Sequence, residues 1–446
     1  MFWAKIHRRI ARRRVGIGYI DPVPTDGNSR FKWPLALAAV AVAAYIPAVN
    51  NGFIADDFVI LSRLDLLKAD PFYLFHTAPE NFRLTSYLVF GFLKAAFGMD
   101  YRAFYIFNIL LHAVNVLLLR RLVALITGAK WLALASAGLF AVFQAPQEAV
   151  TWLAAMNETL LGFFAISTLI FLTRQKYGWA LAAYSCALFS KESAPILLGL
   201  IALIQAHRGK PIPRRYFLLL LPTAVFAAVF FYTLPVNFMV GRGTYALGFH
   251  AGLVLLNGLH RLFWPWAYVL IVLTRIVNGK WPPLRNVGYV AWIAVLMLPY
   301  IFVTYTKDIP SRQLYLASAV FATVLAGAVL RLNSRTLQFV FLSSFMAFNI
   351  AYLWIRKDAQ MEERAAPTTA LIRELKMHPP SPTLIVNFAY PYPAIAKAAS
   401  LLAPGWRWEN VEINRPRETC SGCLILEWAP DTRTYRTLSQ STVPVR

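Results

Sequence analysis

The chain has 446 residues, of which 58% are apolar and 15% charged, and 44 lysines and arginines outnumber 21 acids to give a formal net charge of +23. Long segments without any charge exclude an ordinary soluble domain and indicate a polytopic membrane protein. The basic residues gather in a few short connections, as cytoplasmic loops do, so the charge does not signal a nucleic acid partner. Three cysteines, two of them in Cys420-Ser421-Gly422-Cys423, are too few and too isolated for a zinc site.

Residues 1–32 carry Lys5, Arg8, Arg9, Arg12, Arg13 and Arg14 and then a polar stretch, which reads as a cytoplasmic tail rather than a cleaved signal peptide. Trp33–Val49 is the first span, and the positive-inside rule places residue 50 on the outer face. The first outer loop, 50–102, opens with Asn50-Asn51-Gly52-Phe53-Ile54-Ala55-Asp56-Asp57, two adjacent carboxylates in an acid-poor chain. Taken alone they are either a catalytic pair at the membrane surface or a solvated loop in which Asp57 caps the run Phe58–Leu61. The apolar run 84–98 contains Lys94 and is shorter than the ~20 residues of a perpendicular span. If it crossed, the very basic stretch from His207 to Arg215 would fall outside; if it lies flat as an amphipathic helix, all basic connections fall inside. The second assignment is adopted.

Ten further spans follow: Ala103–Leu125, Trp131–Phe143, Leu153–Leu172, Trp179–Phe189, Ala194–Ala206, Tyr216–Leu234, Ala251–Val277, Val287–Tyr305, Leu314–Leu330 and Leu337–Ile355. A transmembrane domain over 33–355 with about eleven helices puts the C-terminus outside. From residue 356 the composition becomes that of a soluble protein. A helical piece (Asp358–Met377) and two strand-like runs (Thr383–Phe388, Cys423–Trp428) predict a small α/β domain over 356–446. In an oxidising compartment Cys420 and Cys423 form either a disulfide or two free buried thiols. The expected fold is an all-α polytopic bundle with a small C-terminal α/β domain.

This topology collects polar groups at the outer face: Glu148 in a turn between spans, Asn157-Glu158, Lys191-Glu192, Arg242, and Lys307, Asp308 and Arg312. Each has an ordinary explanation: a solvated turn for Lys191-Glu192, a helix N-terminal charge for Glu148, an interfacial anchor for Arg312. His112 and Asn115, one helical turn apart, read as an interhelical polar pair. Their convergence is the informative feature, because charged groups near membrane depth are costly and mark function. Acids that move protons beside cations suit an anionic substrate with a lipid tail.

The motifs, in chain order, are Asn51-Gly52-Phe53 with Asp56-Asp57, Phe82-Arg83-Leu84-Thr85, Asn108-x-x-x-His112-x-x-Asn115, Glu148-Ala149-Val150-x-Trp152, Asn157-Glu158, Ser190-Lys191-Glu192 and Ser311-Arg312-x-x-Tyr315. The set resembles the GT-C superfamily of integral-membrane glycosyltransferases, in particular the branch with the tetratricopeptide-repeat O-mannosyltransferases and their bacterial relatives. The resemblance implies a GT-C-like bundle with amphipathic helices in the first loop and a site facing the periplasm or lumen, here of a bacterial inner membrane. It departs from the pattern at Phe143-Gln144, where relatives often have His-Pro, at Met156, where an arginine often stands, and in lacking the repeats. Sugar and acceptor therefore do not carry over.

On this reading the chain is an inverting glycosyltransferase that moves a sugar from a polyprenyl-phosphate carrier to a hydroxyl of a glycan, lipid or protein. Asp56 or Asp57 is the general base, with Asp56 favoured because Asp57 is better placed to cap a helix. Lys191 and Arg312 bind the donor phosphate, and Arg83, Glu148, Glu158, His112 and Asn115 position substrates. No cofactor is required, although two aspartates leave room for a divalent metal. The competing reading is a lipid-linked sugar flippase or transporter, which internal repeats and broken helices near mid-membrane would favour.

Overall fold

A computed structural model describes residues 29–76, 83–207, 209–233, 243–246, 248–279, 287–414 and 423–438. The chain divides into Met1–Ala36 and Leu37–Arg446, and the architecture below is that of the second unit. Among the described residues six helices are long and apolar enough to cross a membrane: Lys32–Asn50, Tyr101–Thr127, Leu153–Thr173, Arg214–Thr233, Ser311–Val329 and Arg335–Leu375. Shorter apolar helices, including Lys130–Val142, Ile196–Ala206 and Gly288–Tyr300, fill the space between them. The segment Leu153–Thr173 has 83% of its apolar window buried and Arg214–Thr233 only 17%, so the first runs through the middle of the bundle and the second along its margin.

The expected single span Ala251–Val277 is two helices, His250–Phe263 and Trp266–Asn278. The break falls at Trp264-Pro265, where proline has no N–H to continue the backbone ladder.

Several polar side chains inside the bundle bond to one another or to backbone carbonyls, although Asn115 Oδ1 is buried with no partner among the described residues. Tyr315 Oη lies 2.8 Å from His112 Nδ1, and His112 Nε2 lies 3.2 Å from the Ala141 carbonyl. The carbonyl can only accept, so Nε2 carries the proton and Tyr315 donates to Nδ1. Asn115 Nδ2 donates to the Thr159 carbonyl at 2.8 Å and to Tyr315 Oη at 3.0 Å. Asn108 Nδ2 donates to the carbonyls of Ala149 and Val150, both at 2.9 Å, which holds the turn that carries Glu148.

Among its described residues the loop after the first apolar helix contains two α-helices, Asp56–Ala69 and Leu84–Phe97. The second has 14 residues, ~21 Å of helix, too short for a ~30 Å hydrocarbon layer. It buries Ser86, Tyr87, Phe90 and Leu93 and exposes Leu88 and Phe92, the two-faced form of a helix that lies on a membrane. Lys94, the charge that made this run ambiguous, pairs with Asp65 of the first helix at 3.0 Å.

At the C-terminal end, helix Arg335–Tyr352 continues through a widened π turn, Leu353–Lys357, into Asp358–Leu375. A four-stranded sheet follows, made of β1 (Thr383–Val386), β2 (Val411–Ile413), β3 (Leu424–Ala429) and β4 (Thr434–Leu438), in the order β2-β1-β3-β4. β1 is parallel to β2 and β3, while β3 and β4 are antiparallel. Cys423 is disulfide-bonded; its expected partner Cys420 lies outside the described residues. The core of this domain is not separate. Phe53, Ile54 and Phe58 of the first loop, Trp152, Met361 and Leu371 of the long helix, and Trp428 of β3 belong to one buried apolar cluster.

Gly162 sits where the bundle is tightest. A Cβ there would lie 2.6 Å from the Tyr315 ring and 3.3 Å from Asn115 Nδ2. Gly162→Ala is expected to displace the buried tyrosine and cost about 1–3 kcal/mol, read as a lowered unfolding midpoint in detergent. An unchanged midpoint would show that the ring has room to move.

Candidate active site

The first loop leaves the membrane at Ile46–Asn50, a tight helical turn, and then takes two unusual backbone conformations. Gly52 has φ +75°, and its carbonyl accepts a hydrogen bond from Tyr105 Oη at 2.8 Å. Ala55 has φ 43° and ψ −103°, a conformation that costs an alanine energy and is held only by its surroundings.

The neighbour that holds it is Asp57. Its carboxylate accepts from the N–H of Ile54 at 2.8 Å and from the N–H of Ala154 at 2.5 Å. Ala55, not Asp57, is the residue preceding the helix, so the cap expected of Asp57 is not made. The carboxylate turns back onto the loop because Ile54 and Ala154 offer buried N–H groups that nothing else satisfies. Asp57 is completely buried. That burial pushes its pKa up to about 8, against the pull of the two backbone donors.

Asp56 is exposed and, among the described residues, has no hydrogen-bond or ion-pair partner. Although its surface is exposed, Asp56 stands against enough protein to lose part of its hydration, which raises its pKa above the usual carboxylate value, and Arg312, Arg364, Arg63 and Arg83, in that order, draw it back. The two adjacent aspartates thus do different work: one is spent on the backbone and one is free.

Two of the arginines that act on the Asp56 charge, Arg312 and Arg364, bind Glu148. Arg364 Nη1 lies 3.0 Å from Oε1 and Arg312 Nη1 3.6 Å from Oε2. Both guanidiniums lie over the Trp152 ring, at 4.4 Å for Arg364 and 4.8 Å for Arg312. Trp152 Nε1 donates to the Ile54 carbonyl at 3.3 Å, so the ring is fixed to the aspartate loop. The Arg312 segment is fixed in turn: Ser311 Oγ donates to the Ala145 carbonyl at 2.6 Å, which ties it to the Glu148 turn.

On the next side, Arg83 forms a forked pair with Glu192 at 2.9 and 3.1 Å. Lys191 is buried in an ion pair with Glu158, over the Tyr300 ring at 5.3 Å. Burial lowers the Lys191 pKa, and Glu158 and Glu192 oppose that shift. A shallow, open and mostly apolar groove of about 370 Å³, lined by Glu192, Ser193, Ile196, Gly199, Leu298 and Phe302, lies beside this cluster.

Asp56, Asp57, Glu148 and Arg312 therefore come together, with Arg83 close enough to act on Asp56. Lys191 and Glu158 form a buried pair next to Arg83–Glu192. His112 and Asn115 bond to Tyr315, Thr159 and Ala141 instead, and so support the helix that follows Arg312. Lys307 and Asp308 lie in an exposed turn, and Arg242 is outside the described residues. Arg364 was not foreseen: it lies 52 residues after Arg312 in charge-rich soluble sequence, with no local signal that its helix returns to the site. Among the described residues no three His, Cys, Asp or Glu side chains converge, and both Asp57 oxygens are engaged by N–H donors, so the pair does not offer two free carboxylates to a cation.

The division of labour between the aspartates is testable by stability. Asp57→Asn puts an amide N–H₂ against a backbone donor, with an expected cost of about 1–3 kcal/mol, whereas Asp56→Asn is expected to leave the unfolding midpoint in detergent unchanged. Because the folded pKa of Asp57 is raised, its protonation favours the fold, and its contribution declines as pH rises from about 4 through 8. Equal midpoints for the two variants would contradict this division.

No family model matches the sequence, and no curated protein matches it. Among solved structures the chain is similar to ArnT from Cupriavidus metallidurans bound to undecaprenyl phosphate, with 11% identity, 90% of this chain and 93% of that one covered, and a TM-score of 0.52. It is similar to the apo state of the same protein at 12% identity, with 87% of each chain covered and a TM-score of 0.51. The likeness extends over nearly the whole length of both chains, and it shows that this chain has the ArnT fold.

Proposed function

We propose that the chain is an inverting glycosyltransferase that takes a sugar from a polyprenyl monophosphate and passes it to an acceptor hydroxyl at the outer face of the membrane. The observation that carries this reading is Asp56: a free carboxylate beside an arginine pair, on a fold shared with a structure that holds undecaprenyl phosphate.

In this reaction the acceptor oxygen attacks the anomeric carbon from the side opposite the phosphate. The new C–O bond forms as the bond to the phosphate oxygen breaks, which inverts the anomeric centre. The acceptor proton passes to Asp56, and the bonding electron pair leaves with the polyprenyl phosphate. A raised pKa makes Asp56 a stronger base, and a positioned base contributes ~10²–10⁴-fold. Arg312, half-exposed, stabilises the charge that grows on the leaving phosphate. Arg83 and Lys191 add positive potential from their pairs with Glu192 and Glu158, and each contacts the phosphate only by exchanging its carboxylate for it. The apolar groove beside Glu192 suits the first isoprene units of the carrier.

The test is transfer from undecaprenyl-phosphate sugars by the full chain in proteoliposomes. Asp56→Asn is expected to lower kcat by ~10²–10⁴-fold while donor binding persists. The wild-type rate is expected to fall on acidification at a pH above the ordinary carboxylate range, as Asp56 takes up a proton. Full activity in Asp56→Asn would overturn the base assignment, and movement of the carrier across the bilayer without cleavage would favour a flippase.

A further inference from the structure

We infer that Arg364 is a positioning residue of the active centre, supplied by the helix that leads into the α/β domain and holding Glu148 and Trp152 in place beside Asp56. The role in catalysis rests on the transfer reaction proposed above; the placement itself does not.

Three observations carry the inference. Arg364 makes a charge-assisted hydrogen bond to Glu148 at 3.0 Å, closer than Arg312 at 3.6 Å, so the domain supplies the tighter half of the arginine pair. Its guanidinium lies 4.4 Å from the centre of the Trp152 ring, and that ring is bonded to Ile54, two residues before Asp56. The backbone around Arg364 is fastened from both sides. Tyr390 Oη, from the loop after β1, donates to the Arg364 carbonyl, and Thr368, one turn further on, donates to the Phe53 carbonyl at 3.3 Å.

The π turn at Leu353–Lys357 explains how a helix leaving the membrane reaches this point. An inserted residue rotates everything after it by ~100°. Met361, Arg364, Ala365 and Thr368 share the face that results, and three of them are buried against the first loop and the domain core. Without the insertion that face would turn away from Glu148.

Arg364 also governs the charge state of its neighbour. The charged and titratable groups acting on or coupled to Asp56 are Arg312, Arg364, Arg63, Arg83, Asp57 and Tyr390. Arg364 ranks second among the cations that stabilise the Asp56 carboxylate, so its removal makes that carboxylate harder to ionise.

The experiment is a pH titration of the full chain in nanodiscs by infrared difference spectroscopy, following the carboxyl C=O band that disappears in Asp56→Asn. Arg364→Ala is expected to raise the midpoint of that band by at least about half a pH unit, and Arg364→Lys to restore most of it. The acid limb of the transfer rate should move by the same amount, with kcat falling by about 10-fold or more and KM for the donor changing less. If Arg364→Ala fails to fold, Arg364→Gln, of similar length, serves for the comparison. An unmoved band, or a lysine variant that titrates like the alanine one, overturns the inference whatever the activity. A band that moves in Arg364→Ala, when the wild-type protein turns over no lipid-phosphate sugar, supports the placement and refutes the transfer reaction instead.

Discussion

The candidate site of this protein depends on one buried carboxylate. Asp57 receives an N–H from its own loop and another from the Leu153–Ala155 turn, across nearly a hundred residues of chain. This pair of hydrogen bonds fixes the aspartate loop to the turn that follows Glu148 and Trp152, and it sustains the unfavourable backbone at Ala55. With Asp57 committed in this way, the next side chain toward solvent is Asp56, and it is left with nothing to bind. A free carboxylate is thus produced by spending its neighbour.

The cations follow a similar rule. Lys191 with Glu158 and Arg83 with Glu192 are closed pairs, the first of them fully buried, where an unpaired charge would be costly. Arg312 and Arg364 instead share one glutamate and lean on an aromatic face, so a second anion finds guanidinium donors still unused. The candidate site therefore grades from a locked, neutralised interior to an open edge with spare positive charge near a free carboxylate. The apolar core shared by the first loop and the α/β domain keeps that edge in register.

Much of this is legible in the residues alone. The apolar run from Leu84 predicts a short helix, and a 14-residue helix with one buried and one exposed face stands there. The helix after residue 358 and the strands near Thr383 and Cys423 were read from composition and pattern, within a few residues of their observed bounds. The break at Trp264-Pro265 was missed because an unbroken apolar run on both sides outweighed a single proline. β2 and β4 were missed because three to five residues carry too little pattern. Arg364 was missed for a different reason: nothing local distinguishes it from the charges around it.

The sequence by itself determined the polytopic, apolar character and the aspartate pair, because hydropathy, charge placement and residue order are properties of the chain as written. Only the tertiary structure decided which aspartate is free and which is structural, since that turns on the N–H of Ala154, about a hundred residues away. It also decided that the C-terminal domain contributes to the site, since the partners of a long charged side chain are set by the direction in which its helix returns, and a one-residue widening at Leu353–Lys357 is enough to set that direction.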